Sequence, residues 1–169
     1  MVQLEKYGGV TFSHIADFEI WRLFMSQVIH VKQIHMLYNV TSLFIIGTYI
    51  ERHLGSVRLL MLWLLSGISG TLISTLFVSP PWNLGTGGSQ AIMGLAAAGV
   101  VLIYRRMDMS IGLKIATGFA LLPAISLDIV FAHYPKPGHV FGFLVGIGVC
   151  LFFINGFSKE QIRNKGQVG

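Results

Sequence analysis

Charge is scarce in this chain: Asp, Glu, Lys and Arg supply 11% of its 169 residues, under half of the roughly 25% usual in soluble proteins. From Leu59 to Tyr104, 46 consecutive residues carry none of them. A water-soluble domain of this size cannot enclose so long an uncharged stretch in one core. Cysteine is nearly absent too, and Cys150 alone excludes an intrachain disulfide or a cysteine-built zinc site. No HExxH pattern and no acidic pair falls within an apolar stretch, so neither a metal nor a cofactor is expected. Met1 to Ile20 holds no continuous apolar run, and no cleaved signal peptide is expected there. What the chain has in plenty is apolar surface, 53% of residues, with a mean hydropathy of +0.69. Together these figures describe an all-α fold, a polytopic bundle of membrane helices.

Five stretches are long and apolar enough to be read as spans. They cover about 34–50, 59–78, 89–104, 111–131 and 139–157. Between them lie Glu51–Arg58, the Pro/Gly-rich Ser79–Gly88, the basic Arg105–Ser110 and His133–Gly138, all with turn chemistry. The net charge of +5 does not point to nucleic acid, because the cations sit at segment ends. Under strict alternation Arg52, Arg58, Arg105, Arg106, Lys114, Lys159, Arg163 and Lys165 share one side. Lys6, Arg22, Lys32 and Lys136 share the other. Eight cations against four place the C-terminus in the cytoplasm and suggest the plasma membrane. The expected organisation is an N-terminal segment over 1–20, disordered or truncated, a membrane domain over 21–158 and a basic tail over 159–169.

The third span is short. Its 16 residues, Ser89 to Tyr104, make about 24 Å of helix against a hydrocarbon thickness of about 30 Å. With Arg105 and Arg106 at the cytoplasmic face, Ser89 begins below the outer surface, and Asn83–Gly88 must dip to reach it. Non-helical backbone at that depth is tolerated only under protein cover or beside a wet cavity. A submerged, water-accessible pocket with a serine at its floor follows.

Polar groups at membrane depth are costly and tend to be functional. His35 and Asn39, spaced i and i+4, share a face of the first span. Ser89 opens the third span and His139 the fifth, and all four lie at the outer end. Serine is a weak nucleophile until a base such as neutral imidazole takes its proton. Attack on an amide builds an oxyanion that needs prearranged donors, and a helix start such as that at Ser89 supplies N–H groups and a positive dipole end. Gly138, Gly142 and Gly146 on the last span, with Gly94 and Ala98 on the third, are small residues at the spacing that lets two helices approach.

These residues also carry a resemblance. Trp21-Arg22, then His30, His35 and Asn39, then Glu51 with Gly55-Ser56, then the run Gly87-Gly88-Ser89-Gln90-Ala91-Ile92-Met93-Gly94-Leu95, then Gly138-His139 with Gly142 and Gly146, occur in this order. From about Trp21 to Gly148 the chain resembles the rhomboid intramembrane serine proteases, whose WR, H…HxxxN, ExxxGS, GxSxAxxGL and HxxGxxxG motifs these are. The resemblance implies a serine endopeptidase in which Ser89 is nucleophile and His139 general base. His35, Asn39 and the Ser89 backbone N–H would hold the oxyanion, with His30, Gly87, Gly88, Gly94, Gly142 and Gly146 supporting the site. It also implies transmembrane protein substrates, cut in or near their spans where the helix is weak, within a lipid surround. Two departures stand out. Gln90 occupies a position where many members have glycine, and nothing before Trp21 reads as a span, so five spans are expected where the family's core has six.

Other residues have plainer readings. His30 is read as structural, bonding the outer loop. Asp128 is read as an interfacial aspartate rather than a third triad member, and Glu51 is expected to pair with Arg52. Pro123, with Gly118 upstream, marks a kink that either gates substrate or is simply packed. Two further functions compete: a non-catalytic member of the same fold that binds transmembrane clients, against which Ser89 and His139 argue, and a transporter, against which the lack of an internal repeat argues.

Overall fold

The computed structural model describes residues 2–80, 83–130 and 137–165, with the side chains at 2, 123, 127, 128, 130 and 157–165 outside that description. Three short helices come first, α1 (Val2–Lys6), α2 (Phe12–Ala16) and α3 (Trp21–Met25). Five longer ones follow: α4 (Gln33–Leu54), α5 (Ser56–Phe77), α6 (Ser89–Tyr104), α7 (Ile111–Val130) and α8 (Pro137–Lys165). Each long helix falls on one of the five apolar stretches, and α6 has the bounds its sequence implied. Among the described residues two are long and apolar enough to cross a membrane by themselves, α5 and the Pro137–Gly156 part of α8. The basic tail continues α8 as helix to Lys165.

The bundle is apolar outside and partly polar within. Phe44, Leu60, Ile111, Ile115, Leu122 and Phe152 are exposed, while Ser42, Ser66, Thr71, Thr75 and Thr117 are buried. That distribution suits lipid, where tails are as apolar as leucine and helices associate by close packing instead of by expelling water. The packing runs through α6, which touches α4, α5, α7 and α8. Of its 16 residues 13 are buried, as a helix that is small and apolar all round requires.

Hydroxyls sit over glycines where neighbours meet α6. Ser66 of α5 lies against Gly94, and Thr117 of α7 against Gly99. Along α8, Gly138 faces Ser74 and Gly70 of α5, Gly142 faces the Gln90 carbonyl, and Gly146 faces the Gly94 backbone. A Cβ at Gly146 would stand only 2.5 Å from Gly94 Cα. The small-residue ridge expected on α8 therefore packs on α6 at Gly94, and on a matching row in α5 that includes Gly70 and Ser74.

Turns between helices are short and specific. Gly55, at φ +82, alone separates α4 from α5, a conformation that favours glycine. The Ser56 hydroxyl donates to the Glu51 carboxylate, and the Arg52 guanidinium lies over the Tyr49 ring. Glu51 thus holds the α5 start instead of pairing with Arg52. Pro123 has no N–H to offer the carbonyl of Phe119 one turn earlier. The Tyr38 hydroxyl of α4 comes to that place, 2.9 Å from the Phe119 oxygen and 2.8 Å from that of Ala120. The gap that proline leaves in the α7 hydrogen-bond ladder is therefore met from α4.

At the far end of α6, Asp108 ties the α6–α7 turn to α4. Hydrogen bonds from the Ser110 hydroxyl and from its backbone N–H (2.8 Å), with His53 Nε2 at 3.1 Å, hold the carboxyl down at about 2. A carboxyl depressed in the folded state adds stability that is complete above about pH 4 and fades as the pH falls toward about 2. Denaturation of the detergent-solubilised protein across that interval is expected to show the loss, and Asp108→Asn to flatten it. Parallel curves for the two proteins would remove Asp108 from the account.

Candidate active site

Ser89 is the first residue of α6, and His139 lies one turn-fraction into α8. Separated by 50 positions in sequence, Ser89 Oγ and His139 Nε2 are 2.9 Å apart. Both residues are buried. What brings them together is the glycine seam: Gly138 rests on α5, where its N–H donates to Ser74 Oγ (3.1 Å), so the next residue is aimed at the α6 start. Gln90 also reaches the serine, with Oε1 3.4 Å from Ser89 Oγ. The hydroxyl has one proton, and an unprotonated Nε2 is the nearer and better acceptor.

The loop before α6 turns sharply. Gly87 has φ +93, and its missing side chain leaves room for two imidazoles. A Cβ there would be 3.2 Å from His35 Cε1 and 3.4 Å from His30 Cδ2. Gly88 precedes the helix, its carbonyl accepting from Ile92 N–H (3.0 Å). N–H groups ahead of Ile92 have no carbonyl one turn earlier in the helix, which leaves a positive end at the serine. His35 and Asn39, in the first two turns of α4, stand on the same side as His30, and Asn39 Nδ2 is 2.8 Å from His30 Nε2. His30, read from the sequence as structural, makes a second bond through Nδ1 to the Val28 carbonyl (3.0 Å).

The N-terminal segment covers this loop. Its described residues fold onto it. Val10 and Gly85 exchange backbone hydrogen bonds of 3.1 and 2.7 Å, and Gly87 N–H donates to the Ser26 carbonyl at 2.7 Å. Arg22 donates to the carbonyl oxygens of Glu5 and of Gly9 and pairs with Glu19, its guanidinium 4.7 Å above the Trp21 ring. Gln27, buried, donates to Thr71 of α5 at 2.9 Å. Val10 and Ser26 escaped the sequence reading because backbone pairing leaves no side-chain pattern to find, and Gln27 because its partner lies 44 positions away. The small-residue row Gly67, Gly70 and Ser74 on α5 was open to the same spacing argument that found the ridge on α8. Asp128 lies in α7, but its side chain is outside the described residues, as are His133 and Lys136.

Chemically, the arrangement offers a hydroxyl with an acceptor for its proton, a helix start for a negative charge, and nearby imidazole and amide groups. Known proteins share its sequence. The Rhomboid domain model matches residues 17–156. Rhomboid protease GluP of Bacillus subtilis is 33% identical over 147 residues, 85% of this chain and 28% of that protein. Rhomboid protease GlpG of Haemophilus influenzae is 32% identical over 155 residues, 87% of this chain and 73% of that protein. A protein named Inactive RHOMBOID-like protein 8, of Arabidopsis thaliana, is 34% identical over 96 residues, 56% of this chain and 27% of that protein. The chain spans less than half the length of the first curated relatives it matches. Matched by that domain over most of its length, the chain belongs to the rhomboid family.

Proposed function

We propose that this chain is an intramembrane serine endopeptidase that hydrolyses peptide bonds in or near the spans of membrane proteins. The reading rests above all on the 2.9 Å contact between Ser89 Oγ and His139 Nε2. Ser89 attacks the substrate carbonyl carbon as His139 accepts its proton. The tetrahedral oxyanion is held by the Ser89 backbone N–H with His35 and Asn39. His139 then gives the proton to the departing amine, leaving an ester on Ser89. Water, deprotonated by the same imidazole, attacks that ester and frees the new carboxylate and the serine. No carboxylate partner is required of Asp128.

In this reading α4 to α8 are five spans of a membrane domain over 21–158, with residues 1–20 on the outer side and a cytoplasmic C-terminal tail over 159–169, in the plasma membrane. Its partners are transmembrane protein substrates and membrane lipids, with no nucleic acid, metal or cofactor. A helical substrate shields its peptide bonds, so segments weakened by small or helix-breaking residues are the fitting ones.

A second reading has a specific motive: one relative is named inactive, and Gln90 Oε1 offers the serine hydroxyl a second acceptor at 3.4 Å. In it the chain binds transmembrane clients without cutting them. A fluorophosphonate probe separates the two, since it reacts only with an activated serine. Labelling at Ser89, together with cleavage of a fluorescent transmembrane substrate in liposomes, is expected. Binding of that substrate with neither labelling nor cleavage would favour the second reading.

A further inference from the structure

His30 touches both side chains proposed to hold the oxyanion. Its Nε2 is 2.8 Å from Asn39 Nδ2, and its ring meets that of His35 at 87°, centroids 5.3 Å apart. The third contact decides how it acts. A carbonyl oxygen only accepts, so the ring nitrogen 3.0 Å from the Val28 oxygen, Nδ1, carries a proton. Burial lowers the pKa of His30, which favours the neutral ring. Nε2 is then a lone pair, and only a donor can meet it. Asn39 must therefore turn its NH2 group, not its oxygen, toward His30, and the second N–H on that nitrogen is left for another acceptor. Asn39 Oδ1 is buried with no hydrogen-bond partner, so no bond on that side fixes the amide. Its orientation depends on the His30 lone pair.

We propose that His30 is a positioning residue of the oxyanion pocket: through Nε2 it holds the Asn39 amide with an N–H forward, while its ring seats His35. This deepens the serine protease reading and rests on it for its kinetic consequence, but the hydrogen-bond order itself can be read without catalysis.

Two measurements test the proposal. In nitrogen-15 spectra of the histidine-labelled protein in detergent, the resonance lost in His30→Gln is expected to belong to a neutral ring protonated at Nδ1. A ring protonated at Nε2 would overturn the proposal whether or not the protein cuts anything. The second is a kinetic cycle. His30→Phe keeps a ring and removes the lone pair, and is expected to lower kcat about tenfold with KM changed by less than about twofold. In an Asn39→Ala background the same change is expected to cost nothing further, because the residues act in series. Full additive losses would show a merely structural role and overturn it. His30→Gln, which places an acceptor near the Nε2 position, is expected to recover to within about threefold of the parent. Should His30→Phe fail to assemble, the nitrogen-15 tautomer of the parent protein decides alone, because Nδ1 protonation is what leaves Nε2 as the acceptor for Asn39. Failure of the protease reading looks different, as cleavage that survives Ser89→Ala while the Nδ1 tautomer stands.

Discussion

Ser89→Ala is expected to reduce cleavage of a labelled transmembrane substrate by at least about 1,000-fold, the scale on which serine hydrolases lose activity without their nucleophile. The protein should stay folded. Alanine fits any space that serine fills, and the lost contact to His139 is worth about 1 kcal/mol. His139→Ala is expected to be nearly as damaging, because a hydroxyl without its base at 2.9 Å is a poor nucleophile. Paired groups fail together, so the double variant should be no slower than the worse single one. Parent-level cleavage by Ser89→Ala would refute the assignment outright. A loss of substrate binding along with cleavage would point instead to a pocket damaged as a whole, and thermal unfolding of each variant separates the cases.

The second large effect is structural. Gly146→Leu is expected to cost about 3 kcal/mol or more, at the upper end for forcing volume into a packed interior. A Cβ at Gly146 would already stand 2.5 Å from Gly94 Cα and from its carbonyl oxygen, and backbone cannot step aside as a flexible side chain can. Gly148 is the matched control. It lies on the same helix, two residues on, with nothing within 4 Å of its would-be Cβ, so Gly148→Leu should leave unfolding in detergent unchanged. Gly146 is seven residues beyond His139, about 10 Å along the helix. Pushing α8 off α6 there tilts the imbalance up toward the dyad, and activity should fall even where some folded protein remains. Equal unfolding for the two leucine variants would remove the glycine seam from the explanation of how nucleophile and base meet.

Much of the fold was legible because lipid imposes a simple demand: apolar stretches of sufficient length become helices. The charge-free run from Leu59 to Tyr104, broken by Pro and Gly, marked α5 and α6 well, and the basic clusters marked helix ends. The pairing of Ser89 with His139 was also foreseeable, since both open helices on one side and each helix carries small residues four apart, Gly94 and Ala98 on α6 and Gly142 and Gly146 on α8. Three things were not. Val10 meets Gly85 through main-chain groups that every residue carries, so no side-chain pattern announced that the first residues would cover the loop. Gln27 reaches Thr71 across 44 positions, and neither residue type is distinctive. Glu51 was assigned the neighbouring cation by proximity in sequence, whereas on a helix adjacent residues point apart, and the Ser56 hydroxyl was the better partner.

The enclosure of α6 by its four neighbours has a consequence for how such a chain can change over time. Wherever hydroxyl meets glycine or backbone meets backbone, no spare volume exists, and drift there is confined to swaps among the smallest side chains. Lipid-washed flanks such as Phe44, Ile115 and Leu122 are under no such restraint and can trade bulk freely. Added bulk is therefore expected to be borne on the skin of the bundle and refused around α6.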